Sequence, residues 1–292
     1  MFEKRNDYLV CVDSDGCLLD NMELKHKECF TPATVNCWNL QGASKYVREV
    51  AEFVNLYSRT RGCNRFPAII RTLELSYARP ELKERGFEIP DLGPLKRWVE
   101  ETPVLSAAAI DEYCCKHPDC SPILAQAAVW SREVDANIAH IVRNLHEFPF
   151  VKSALKRLSE FADVVVVSAT PHEALVRELE SVGLSRYMRF VFGQDYGTKS
   201  MCIKTAMQLG YSPDHVLKIG DAPADYKAAF ENGVLFNPIV AGHEKESWLN
   251  LLNVSSVRFR NGTFKGEYEN GLLSEFLDNL KEDPWWISSS SK

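Results

Sequence analysis

The sequence predicts a doubly wound parallel α/β sheet, interrupted after its first strand by a mostly helical insertion. Three observations carry that reading. Tyr8–Val12, residues 163–167 (DVVVV) and residues 216–219 (VLKI) are continuous apolar or β-branched runs, the pattern of parallel strands buried on both faces. From about residue 150 onward such runs alternate with amphipathic stretches, as βαβ units require. Between the first and second runs lies a long segment with helical periodicity and no convincing strand.

Taken in order, the first strand leads into helical patterns at 43–57 and 123–145, punctuated by Pro67, Pro80, Gly86, Pro90, Gly93 and Pro94. Residues 151–161 place Val151, Leu155, Leu158 and Phe161 on one helical face, ahead of the second strand. Residues 173–182 do the same with Leu175, Val176 and Leu179, followed by a weaker strand at 189–192. Helices at 200–209 and 226–232 flank the third clear strand, and 234–236 reads as a fifth. Gly183, Gly210 and Gly233 stand where these helices should stop. The pattern divides the chain into a core of residues 1–21 and 149–280, a helical insertion at 22–148, and a tail at 281–292 whose SSSSK end should fray.

The gross features bound the function. A chain of 292 residues can bury a sizeable core. Its net charge of −6 gives no general basic footprint for nucleic acid. The N-terminal apolar run is too short for a signal peptide and leads straight into acids. No stretch approaches the roughly 20 apolar residues of a membrane span. Nine cysteines, an odd number scattered through helical and strand-like stretches, suit reduced thiols rather than a disulfide framework. A cytoplasmic protein with neither nucleic-acid nor membrane partner is expected.

In an open α/β sheet, ligands bind beyond the carboxyl ends of the strands. Asp13 and Asp15 follow the first strand, Ser168, Ala169 and Thr170 the second, and Gly220, Asp221 and then Asp225 the third. Carboxylates gathered at one edge repel one another and raise each other's pKa, which a hard cation with oxygen ligands, such as Mg²⁺, relieves. Each piece has a plainer reading. A lone D-x-D-G is commonly a turn, and an EF-hand loop starting at Asp13 would need a Glu where Leu24 stands. Thr170-Pro171-His172-Glu173 fits a helix capping box, which leaves Ser168 as the functional hydroxyl and a helix N-terminus facing its anion. All three segments in order, each directly after a strand, argue for chemistry.

These segments resemble the motifs of the haloacid dehalogenase superfamily. DSDGCLLDN looks like its D-x-D-G-x-L-x-D motif, VVVVSAT like the strand ending in Ser or Thr, and IGDAPAD like its G-D-x-x-x-D motif. GTKSMCIKTAM offers the family's lysine as Lys199, at a helix start, in preference to Lys204 a turn further in. The helical insertion is similar to the family's type 1 cap. The resemblance implies a Mg²⁺-dependent phosphatase for a small phosphorylated metabolite. Asp13 would be the nucleophile, forming an aspartyl-phosphate, and Asp15 the general acid and base. Asp13, the Asp15 carbonyl and Asp221 would hold Mg²⁺, with Asp225 orienting Lys199 or a metal-bound water. Ser168, the Ala169 amide and Lys199 would bind phosphoryl oxygens. Dehalogenases of the family lack the second aspartate of the first motif; Asp15 is present.

A cap of this kind closes over the site and holds specificity. Arg59, Arg61 and Arg65 could bind a second anionic group of the substrate, or simply form a solvated basic helix end. The CCKHPDC run, 114–120, suggests zinc by composition, but it lacks paired C-x-x-C spacing and reads better as a loop. Rival functions on this scaffold are a phosphomutase and a phosphonate hydrolase. The latter needs a Schiff-base lysine, for which Lys25, Lys27 and Lys45 are available. A catalytically silent binding module is the rival of another class.

Overall fold

The computed structural model of the chain describes residues 2–117 and 120–288. It divides into two compact units, one of Met1–Met22 with Asn144–Lys281, the other of Glu23–Arg143 with Glu282–Lys292.

The first unit holds a five-stranded sheet: β1 (Tyr8–Val12), β2 (Ala162–Val167), β3 (Phe190–Phe192), β4 (Val216–Gly220) and β5 (Leu235–Pro238). The order is β3-β2-β1-β4-β5, and every pairing is parallel. Val10 lies between Val164 and Leu217, so the first strand of the chain is the central strand of the sheet. Strand alternation sends side chains to opposite faces. Val10, Val12, Val164, Val166, Leu217 and Ile219 pack with Leu155, Leu158, Leu175, Leu179 and Trp248. Leu9, Cys11, Val165, Val167 and Phe236 pack with Cys202, Ile203, Ala206, Ala229 and Phe276 on the other. Helices Val151–Ser159 and His172–Ser181 thus cover one face, and Lys199–Met207, Pro223–Glu231 and Glu267–Asn279 the other. Burial on both faces explains why the strands read as unbroken apolar runs. The outer strands depart most from expectation: β3 is a three-residue strand, and β5 runs on to Pro238, which pairs with Gly220 at the sheet edge.

Asp163 anchors the chain's start to this sheet. Its carboxylate accepts the amides of Arg5 (2.7 Å) and Asn6 (3.0 Å) and the Tyr211 hydroxyl (2.6 Å). Burial alone would raise its pKa, but these donors outweigh it and hold the carboxyl below the usual range.

The second unit is helical and is built on Phe66, Trp98, Trp130 and Leu73. Phe66 meets Trp98 edge to face, ring centroids 5.0 Å apart. The helix expected at 43–57 is α-helical over Ser44–Glu52 and widens into a π-turn at Phe53–Tyr57. The one expected at 123–145 runs over Pro122–Ile141. Arg65 donates to the Ser131 carbonyl and hydroxyl and pairs with Asp135 at 2.8 Å, Arg59 pairs with Glu282, and Arg61 donates to the Leu56 carbonyl at 2.9 Å. The three guanidiniums are engaged with groups of their own unit. Seven cysteines are free, in line with reduced thiols rather than a disulfide framework, but Cys114 and Cys120 depart from that expectation and are bonded at the end of the Ala107–Lys116 helix. Pro118 and Asp119 of that run, and the SSSSK residues from 289 on, lie outside the described residues. Before them, Trp286 packs on Phe53 at 5.7 Å and under the Arg79 guanidinium at 4.7 Å. Among the described residues no helix is long and apolar enough to cross a membrane.

Candidate active site

The carboxyl ends of β1, β2 and β4 deliver the site. Asp13 directly follows β1, and its amide donates to the Ile219 carbonyl of β4 at 2.9 Å, so the ladder itself fixes where the carboxylate starts. Lys199 opens its helix, held by the Thr198 hydroxyl that accepts the Met201 amide. From there Nζ donates to Asp13 Oδ2 at 2.7 Å and Asp225 Oδ1 at 2.8 Å. Lys204 is exposed on the same helix. Asp221 completes a buried cluster in which one carboxylate oxygen from each of Asp13, Asp221 and Asp225 lies within 4.8 Å of the others.

The local sequence dictates this packing. Asp225 sits in the first turn of the Pro223–Glu231 helix, and its Oδ2 accepts the Ala222 amide at 3.3 Å. A Cβ on Gly220 would lie 2.3 Å from Asp225 Cγ, so only glycine lets the carboxylate rest against the end of β4. That is the physical content of the G-D-x-x-x-D spacing.

Electrostatically the cluster is divided. Burial, and then the negative charge of Asp225, push the Asp13 carboxyl up to about 7. Burial pushes Asp225 up too, but Lys199 and Lys218 outweigh it and hold its carboxyl below the ordinary range. Lys199 is held above its ordinary range, Asp13 and Asp225 overcoming the cost of burial. The donor set fits a hard divalent cation. Carboxylate oxygens, close together and with soft ligands absent from the cluster, match Mg²⁺ chemistry.

Three groups around the site, Ser14, Asn21 and Lys218, were not singled out by the sequence, and a fourth, Thr170, was given another role. Ser14 Oγ and Ser168 Oγ are 2.7 Å apart and buried, linking the first two strand ends. Asn21 Nδ2 donates to Asp15 Oδ1 at 2.7 Å. Thr170 is a correction: its hydroxyl donates to Asp15 Oδ2 at 3.1 Å rather than capping a helix. Pro171 is extended and is itself the N-cap residue, so Thr170 falls outside the helix; Asp195 accepts the His172 amide at 2.7 Å instead. Lys218, wholly buried in β4, pairs with Asp225 Oδ1 at 2.8 Å. Its only signal was a charge inside an otherwise apolar run. Ala169 is exposed in the turn after β2, next to Ser168. Arg59, Arg61 and Arg65 belong to the helical unit described above.

Residues 113–237 match the family model of haloacid dehalogenase-like hydrolases. The span contains Ser168, Lys199, Asp221 and Asp225 but not Asp13 or Asp15. No curated protein matches the sequence. Among solved structures, a "predicted phosphoglycolate phosphatase" from Haemophilus somnus 129PT is 13% identical, with a TM-score of 0.50 over 82% of this chain and 88% of that one. A protein of Lactobacillus delbrueckii subsp. bulgaricus with the same provisional assignment is 14% identical, with a TM-score of 0.50 over 90% of this chain and 100% of that one. At such identities the likeness is one of fold.

Proposed function

We propose that the chain is a haloacid dehalogenase-like hydrolase, a reading supported by the match of residues 113–237, and that it is a Mg²⁺-dependent phosphatase of a small phosphorylated metabolite, working through an aspartyl-phosphate on Asp13. The observation that carries this reading is the lysine bridge. Lys199 Nζ touches both Asp13 and Asp225, within a cluster that Asp221 completes. The provisional phosphatase assignments of the two structural neighbours point the same way.

In this reading Asp13 attacks phosphorus, and the bond from phosphorus to the leaving oxygen breaks as the carboxylate is phosphorylated. Lys199 orients Asp13 and carries positive charge toward the incoming phosphoryl oxygens. The Ser168 hydroxyl, steadied by Ser14 and by the Thr170 amide at 3.1 Å, receives another phosphoryl oxygen, with the neighbouring Ala169 amide. Asp15, held by Asn21 and Thr170, gives a proton to the leaving oxygen and later takes one from water. Asp13, Asp221 and the Asp15 carbonyl would hold Mg²⁺, which supplies charge neutralisation for the dianionic substrate. The helical unit, as a type 1 cap, would choose the leaving group.

The test is release of phosphate from a panel of phosphorylated sugars, acids and nucleotides. Asp13→Asn and EDTA should each abolish release; activity surviving either one sinks the reading. Product analysis separates hydrolysis from a mutase, which returns an isomeric phosphate. A phosphonate hydrolase remains the second reading because Lys25 is 5% exposed, unlike Lys45, which is exposed. Borohydride trapping with a phosphono-aldehyde would label Lys25 in that case.

A further inference from the structure

We propose that Lys218 is a positioning residue of this site: from inside the sheet it fixes Asp225 and stands in for part of the charge that a divalent cation would bring. The inference rests on the functional reading above and deepens it.

An ammonium in the middle of a parallel strand needs a reason. Lys218 lies between Cys11 of β1 and Phe236 of β5 in the sheet register and is 0% exposed. A buried ammonium is tolerated only when it is paired and hydrogen-bonded. Here Nζ donates to the Ile219 carbonyl at 3.2 Å and pairs with Asp225 Oδ1 at 2.8 Å. The same Oδ1 takes Lys199 at 2.8 Å, so one carboxylate oxygen carries both lysines. Asp225 Oδ2 is turned back to the Ala222 amide. Asp225 is therefore bound by donors on both oxygens and acts as a counter-ion, holding the lysine that reaches Asp13.

Strand geometry makes this arrangement. Residues two apart share a face, so Lys218 and Gly220 point the same way, toward the helices that carry Lys199 and Asp225. Gly220 supplies the space under the carboxylate and Lys218 the charge beside it. Three carboxylates, Asp13, Asp221 and Asp225, then face two ammoniums. Without Lys218 the same cluster would carry one more uncompensated negative charge, and like charges this close repel strongly in a buried site. A cation would have to hold the arrangement together; with Lys218 the lysines already do.

Thermal melting and Mg²⁺ titration of the whole protein test this. Lys218→Met should lower the metal-free melting temperature by about 5 °C or more, with most of the loss recovered at saturating Mg²⁺. Its Mg²⁺ affinity by calorimetry should rise by at least about fivefold, because the cluster is more negative. Equal losses with and without Mg²⁺, at unchanged affinity, would reduce Lys218 to a space filler and overturn the proposal. If Lys218→Met does not fold, Asp225→Asn with and without Lys218→Met decides. Asp225→Asn leaves two buried ammoniums side by side, so the double variant should melt above the single one; melting at or below it overturns the pairing. Wild-type protein that releases no phosphate defeats the phosphatase reading instead, and leaves these melting outcomes to judge Lys218.

Discussion

Gly220 and Thr170 determine, atom by atom, how two of the site's carboxylates are held. Alanine at 220 would push a methyl group to 2.3 Å from Asp225 Cγ, so the carboxylate must leave Lys199 and Lys218. Gly220→Ala should lower kcat by about 100-fold or more, with a clear fall in melting temperature, since a buried ion-pair network is broken. Thr170→Val removes one donor from Asp15 while keeping the shape. Stability should change by no more than about 1 kcal/mol, while the proposed role of Asp15 as proton donor makes kcat fall roughly tenfold. Steady-state kinetics beside thermal melts separates the two cases. At this scale the sequence was legible for Asp13, Asp15, Ser168, Asp221 and Asp225, because each follows a strand end whose position the apolar runs reveal, whereas Lys199, at a helix start, was picked out only by the resemblance. Thr170 was misjudged because T-P-H-E satisfies the chemistry of a cap, and only the backbone places Pro171 outside the helix. Lys218 was visible as a letter, but its partner comes from another element, and no local pattern names it.

Elements fall into two groups by how deeply they are buried. β1, β2 and β4 are covered on both faces, and continuous Val, Ile and Leu announce them. β3 and β5 lie at the edges, where three or four residues and a proline suffice, and their bounds shift accordingly. The segment before β1 is secured by Asp163 through the Arg5 and Asn6 amides and Tyr211. Because the folded-state pKa of Asp163 is lowered, its contribution is present above the unfolded carboxylate pKa and is lost as pH falls through the folded value. Asp163→Asn should therefore destabilise the protein at neutral pH by about 1–3 kcal/mol, the gap to wild type narrowing in acid. Urea melts at pH 7 and pH 3 check both the size and the sign.

For the molecule as a whole, the absence of strand patterns between 22 and 148 made the helical segment legible, since helical periodicity survives where no sheet neighbour is needed. The return of the C-terminal segment to that unit was not, because P-W-W-I names no partner by itself. Trp286 lies against Phe53 and Arg79, and Arg79 is in turn bound by Glu49 at 2.7 Å and Glu81 at 2.9 Å. Trp286→Ala should weaken the helical unit by about 1–3 kcal/mol, seen as faster hydrogen exchange around the Phe53–Tyr57 turn with the sheet's protection unchanged.

The place of β1 in the sheet has a consequence for how the chain comes into being. Of the strands in this sheet it is made first, yet it is the central one, and β2 and β4, which flank it, emerge only after the whole helical segment. Until then a Leu-Val-Cys-Val edge has no mate, while the helices behind it can already begin to collect their own core. Pairing so distant in sequence is slow to form. During synthesis the strand that leads into Asp13 is thus an early, adhesive edge that must be kept from other chains until β2 arrives, and refolding yield should fall steeply with protein concentration.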